Sequence, residues 1–156
     1  MWRIGDIEIL ENPRKIGSKS SYDSLTKLAD SWFSKYVRVR DCAPATGICS
    51  CCTCGRYHHV KDIDCGHWRK RNKLMTRWDH RNCHAQCTAC NDHGKGMETE
   101  HQEYIRIHYG QKVVNELIIL SGMRGVKFYI NQLHDIAYTF RVAAQHMASQ
   151  KGIAIW

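Results

Sequence analysis

The sequence predicts an α+β protein in which a short, metal-stapled β unit is flanked by helices, and three observations predict it. All nine cysteines and six of the ten histidines fall between residues 42 and 96, where long apolar runs are few. Before that segment, Leu28, Ala29, Trp32, Phe33, Tyr36 and Val37 recur three and four apart, the spacing of one helix face. After Gly96 the pattern turns helical again. A chain of 156 residues with 43% hydrophobic content is long enough for one domain with a real core.

Residues 1–24, with "ENPRKIGSKSSYDS", read as a polar, loosely held lead-in. A single domain is expected over 25–156, opening with an amphipathic helix from about 24 to 40 whose aromatic stripe is core. The cysteine-rich middle, about 49–97, should carry the chemistry, stapled by metal because it lacks a large apolar core of its own. A helical part is expected over about 98–150. There "TEHQ" at Thr99–Gln102 fits a capping box, Gly110 can end the first helix, and "QKVVNELIIL" and "GVKFYINQLHDIAYTFRVAAQHM" carry helical periodicity.

A net charge of +8 favours an acidic partner, and nucleic acid is the commonest polyanion a small protein meets. No run approaches the length of a membrane span, and "MWRIGDIEILENPRK" is not a secretory leader, so a soluble protein of the cytoplasm is expected, without a membrane partner. Nine cysteines cannot all pair, and nothing points to an oxidising compartment. Metal binding is therefore preferred to a disulfide framework.

Two overlapping C-x-x-C registers compete for the first half of a metal site, Cys49 with Cys52 and Cys51 with Cys54. Gly55 favours the second, because a glycine there lets the backbone turn beneath the ion with positive φ. Cys49 and Cys52 remain its rivals. The second pair is Cys87 with Cys90. Four thiolates suit tetrahedral zinc and leave no open coordination position, so this zinc would fold the chain and not catalyse. Cys42, Cys65 and Cys83 are left to packing or as free thiols. Thirty-two residues, 55 to 86, separate the pairs, enough for a β-hairpin.

Within that loop, "DCGHW", "TRWDHRNCHAQC" and "CNDHGKG" resemble a zinc-containing HNH nuclease with a ββα-metal (His-Me finger) core. More closely, the chain resembles the NinG (Rap) family of phage recombination proteins, whose pattern runs D-x-G-H-[aromatic], R-[aromatic], R-N-x-H-x-Q-C-x-x-C-N. The likeness extends over roughly 25 to 145, but the cysteine-rich N-terminal region of the lambda protein is missing.

The resemblance implies a metal-dependent endonuclease cutting branched DNA such as Holliday junctions and D-loops, in the cytoplasm of an infected or lysogenic bacterial host. A general nicking nuclease and a non-cutting zinc DNA-binding module are the alternatives. His67 stands at the position of the general base, whose imidazole can be neutral near pH 7. Asn82 stands where an amide fixes the loop and the base's strand. Asn91 stands at the third position, holding a divalent cation, Mg²⁺ or Mn²⁺, although asparagine is also a favoured helix N-cap. His93 is a reserve ligand, and Asp64 the best candidate for the carboxylate such an ion wants. Many HNH proteins place that acid directly before the histidine, where this chain has Gly66. Residues three apart on a flat strand face opposite sides, so Asp64 can join His67 only if Gly66 bends or bulges the chain. His84 is divided between catalysis and support of the zinc shell.

Between His67 and Trp78, Arg69, Lys70, Arg71, Lys73 and Arg77 occur without an acid. A charge run is commonly a solvated face, but beside this motif it reads as a seat for the DNA backbone, binding shape more than sequence. Trp68 and Trp78 could stack on unpaired bases, with packing over the hairpin the more ordinary use. Resolving a junction takes two cuts, so a two-fold dimer is expected, with the helix from 124 to 148 offering an apolar face.

Overall fold

The computed structural model describes residues 2–13 and 21–156. The core is two long helices, α1 (Tyr22–Asp41) and α5 (Ile130–Lys151), laid together with Phe33, Tyr36, Leu133, Ile136 and Phe140 interdigitated between them. Phe33 and Phe140 meet edge to face at 4.8 Å. Each such side chain, fully buried, contributes about 1.5–3 kcal/mol. The helix α1 starts where Ser21 accepts the Ser24 N–H, as an N-cap should.

Helix α5 begins at Ile130 and not near 124, because residues 126–129 run extended over the N-terminal hairpin with Phe128 against Trp2 and Trp78. Its apolar face, expected to serve a dimer, is spent on α1. In "TEHQ" no capping box forms: α3 (Glu98–Tyr109) begins after Met97, which adopts left-handed φ/ψ and makes no side-chain cap. Gly110, at φ +86, does separate α3 from α4 (Gln111–Gly122).

The expected loose lead-in is instead partly structural. Strands β1 (Trp2–Ile4) and β2 (Ile7–Ile9) form an antiparallel hairpin that buries Ile4 and Ile9 in the α1–α5 core. Its exit is pinned where Thr139 and Asp135 of α5 accept the N–H groups of Leu10 and Asn12 at 2.9 Å each. The alternation of Ile4, Ile7 and Ile9 around Gly5 is a strand pattern too short to stand out from its polar neighbours. Positions 14–20 of the lead-in lie outside the described residues.

Two further hairpins make the β part. β3 (Ile48–Ser50) pairs with β4 (Tyr57–His59), with Cys51–Cys54 at its tip, and β5 (Asp64–His67) pairs with β6 (Cys83–Gln86). The Cys52 N–H donates to the Ala85 carbonyl and joins the two. The last residues of α1 clamp β6: Asp41 accepts the Ala85 N–H, while Arg40 donates to the Cys83 and His80 carbonyls. Between β5 and β6 lies a loop with one turn of helix, α2 (Leu74–Arg77). After β6 the chain makes a single π-type turn, Ala89–His93. Among the described residues no helix is long and apolar enough to cross a membrane.

Candidate metal centre and polar cleft

The four cysteines 51, 54, 87 and 90 converge, with their sulfurs all within 4.8 Å of one another. Cys54 Sγ and Cys87 Sγ are 3.8 Å apart, close to the edge of about 3.8 Å that four 2.3 Å zinc–sulfur bonds make in a tetrahedron. The loop is shaped for an anion: the Cys87 N–H donates to Cys51 Sγ, and Gly55, at φ +73, closes the knuckle by donating to the Cys51 carbonyl. Burial pushes the Cys51 thiol up, yet the Thr53 hydroxyl and the N–H groups of Cys87, Cys54 and Thr53 outweigh it and bring the pKa down to about 6. These residues could hold a metal such as zinc. The rival register is used elsewhere: Cys49 is buried with its thiol toward the Arg38 carbonyl, and burial pushes Cys52 well up.

The β5–β6 ladder is regular, with Asp64 opposite Gln86 and His67 opposite Cys83. No bulge forms at Gly66, so Asp64 shares a face with His84 and Gln86, and His67 shares the other with Cys65 and Cys83. A Cβ at position 66 would stand 2.2 Å from Gln86 Oε1, so an acid directly before the histidine would require Gln86 to move.

Asp64 meets Asn91 instead. The Asn91 amide donates to Asp64 Oδ2 at 3.3 Å, within a solvent-open cleft of about 300 Å³ lined also by Ser34, Arg38, Arg71 and Asp92. Asn91 lies inside the π-type turn, not at its start, so it is no N-cap. His93 is exposed and does not line the cleft. Asp92, Arg38 and Ser34 are partners the sequence reading missed. Asp92 was in view inside "CNDH", whereas nothing local ties α1 to this site.

His67 does not line the cleft. It adjoins it through Cys65, within 4.8 Å, and through Arg71, whose charge it feels. Its Nε2 lies 2.9 Å from the Arg77 carbonyl. A carbonyl only accepts, which assigns the proton to Nε2 and a lone pair to Nδ1. Burial first, then Arg71, lower its pKa to about 4 against the pull of the Arg77 carbonyl, the Asp30 charge and the Cys65 carbonyl. Asn82 is wholly buried and ties the loop: its amide donates to the carbonyls of Arg69 at 2.9 Å and Thr76 at 3.0 Å, and its oxygen accepts the Arg69 N–H at 2.8 Å.

His84 is enclosed by other rings. It is buried 3.0 Å from His101, with Tyr109 on its other nitrogen. The cations divide. Arg77 is held bidentate by Asp30 and Arg69 by Ser121 and Glu98, whereas Lys70, Arg71 and Lys73 are exposed. Trp68 and Trp78 are buried, so both pack and neither stacks on bases.

A family model described as "NinG: Bacteriophage Lambda NinG protein" matches residues 11–150, a span that holds both the cysteine cluster and the cleft. The chain belongs to the phage lambda NinG family. No curated protein and no solved structure matches it. Membership in the NinG family is consistent with a role related to phage recombination.

Proposed function

We propose that this NinG-family chain is a metal-dependent endonuclease that hydrolyses phosphodiester bonds in branched DNA, such as Holliday junctions and D-loops. The observation that carries the reading is the meeting of Asp64 and Asn91 in an open cleft beside exposed cations, on two segments that the cysteine cluster draws together. The Asp64 carboxylate, the Asn91 amide oxygen and the nearby Asp92 carboxylate are the hard oxygen donors that Mg²⁺ or Mn²⁺ prefers. Such an ion, when bound, supplies charge stabilisation on the phosphate and on the leaving 3′ oxygen.

The chain's own residues do the rest. His67, neutral at pH 7 and with Nε2–H engaged on the Arg77 carbonyl, keeps the Nδ1 lone pair to accept the proton of an attacking water. Asn82 holds the loop that carries Arg77 and so fixes the ring's orientation. Lys70, Arg71 and Lys73 seat the DNA backbone.

One observation favours a second reading, a zinc DNA-binding module that does not cut: His67 lies on the opposite face of the ladder from Asp64. Incubation with a four-way junction, a matched duplex and single strands, with Mg²⁺ or Mn²⁺ and with EDTA, separates the readings. Branch-selective cutting that is lost in His67→Ala and in EDTA is expected. Equal cutting of plain duplex would mean a general nicking enzyme, and binding without cleavage would leave the module.

A further inference from the structure

We infer that Arg38, contributed by α1 from outside the hairpin, is the cation that receives the reacting phosphate in the Asp64–Asn91 cleft. Its substrate, a DNA phosphodiester, rests on the nuclease reading above. The first argument is the pairing of charges. Near the hairpin, Asp30, Asp41, Asp79 and Glu98 are taken by Arg77, Arg40, Arg81 and Arg69. The cleft breaks this habit: Asp64, Asp92, Arg38 and Arg71 line one space, yet among the described residues none of the four makes an ion pair. Asp64 and Arg38 feel one another's charge without closing into an ion pair, and acids and bases so placed suit a ligand pair of both signs, a cation on the carboxylates and an anion on the arginines.

The second argument is how Arg38 is held. Its Nε donates to the Ser34 carbonyl at 3.3 Å, its Nη1 reaches the Val60 and Ile63 carbonyls at 3.5 and 3.4 Å, and the Trp156 ring lies 4.7 Å from Cζ. These contacts orient the guanidinium without cancelling its charge. Nη2 has no partner among the described residues, so part of the planar fork that fits phosphate oxygens is left to offer. Arg71, exposed on the loop, has no comparable support. A half-buried, preoriented cation is also the kind that stabilises developing charge most effectively. In the hydrolysis, the water oxygen bonds to phosphorus, its proton goes to the base, and the P–O3′ bond breaks with its electron pair leaving on O3′, which takes a proton from solvent to become the 3′-hydroxyl. Arg38 changes no bond; it stabilises the added charge on the phosphoryl oxygens. Trp156 is then a positioning residue.

The test uses the full, zinc-loaded chain. With Mn²⁺ and a four-way junction, Arg38→Ala should lower kcat on the order of 100-fold, with a much smaller loss of junction affinity in EDTA. Arg38→Lys, which keeps the charge and loses the fork, should fall between, and it guards against misfolding because thermal melts can be matched. Trp156→Ala should lower kcat and Trp156→Phe should restore it. In parallel, inorganic phosphate is titrated without metal while the Arg38 Nε–H resonance, identified by its absence from Arg38→Lys, is followed. A saturable shift is expected. Wild-type kcat in an active Arg38→Ala enzyme would overturn the inference and leave the nuclease reading standing. Failure of the wild-type chain to cut any DNA would overturn the nuclease reading. The phosphate titration would then decide Arg38 alone, and an unmoved resonance would sink it.

Discussion

Replacing Asn82 by aspartate isolates the amide's donors with almost no change of shape. The wild-type Nδ2 satisfies the carbonyls of Arg69 and Thr76 at 2.9 and 3.0 Å, and the side chain is 0% exposed. Aspartate keeps the acceptor for the Arg69 N–H but turns the donor edge into an oxygen facing two carbonyl oxygens. Each buried carbonyl left without a donor costs about 1–3 kcal/mol. Protonation of the new acid can restore one donor, so the loss at pH 7 should be about 2–4 kcal/mol, a large part of the roughly 5–15 kcal/mol that stabilises a domain. Urea titration of the zinc-loaded protein should show a lower midpoint at unchanged slope. The pH dependence has a definite sign. Burial beside two carbonyls raises the folded pKa of the new acid, so the folded variant binds a proton that the unfolded chain does not. The deficit relative to wild type must therefore shrink as pH falls from 7 toward 4. A loss below about 1 kcal/mol, or a deficit that does not change with pH, would refute the account of Asn82 as the tie of the loop.

Three further outcomes follow from the same geometry. Burial holds His67 and His101 near pKa 4 against an ordinary 6.5, so the unfolded chain takes protons that the folded one refuses. Stability is full above pH 6.5 and falls between 6.5 and 4, by up to about 3 kcal/mol for the enclosed His101; urea midpoints that stay flat from pH 7 to 5 would contradict this. Cobalt substitution should give the absorption of a four-thiolate site that is lost in Cys54→Ser and retained in Cys49→Ser, and loss in Cys49→Ser would reverse the register. Lys70→Ala with Lys73→Ala should reduce the slope of log K against log salt by about two, whereas Arg77→Ala should leave the slope alone and cost roughly 2 kcal/mol of stability through its Asp30 pair.

The cysteine knuckle was legible because its chemistry is carried by rare residues at fixed spacings. Two C-x-x-C pairs and a following glycine point to one knuckle, since a tetrahedral ion needs its ligands in pairs across a tight turn. The helices around 24–40 and after 98 were legible for a similar reason: burying one face imposes a three-and-four spacing that survives any choice of apolar side chain. The N-terminal hairpin was not, because two three-residue strands carry too little alternation to be told from polar coil. Nor did "TEHQ" reveal that α3 would start from a left-handed Met97, since a capping motif competes with the backbone path leaving the cysteine knuckle.

By itself the sequence determined the residue types that can bind metal and phosphate and the helix faces that must be buried. Tertiary structure alone decided how those residues are shared out. It gave Asp64 to Asn91 and not to His67, because strand side chains alternate and the β5–β6 ladder runs through Gly66 without a bulge. It spent Arg77 on Asp30 and drew Arg38 from a distant helix into the cleft. Spacing along a chain constrains only neighbours, whereas which charge meets which across 47 residues, as Arg77 meets Asp30, depends on how α1 packs against the hairpin.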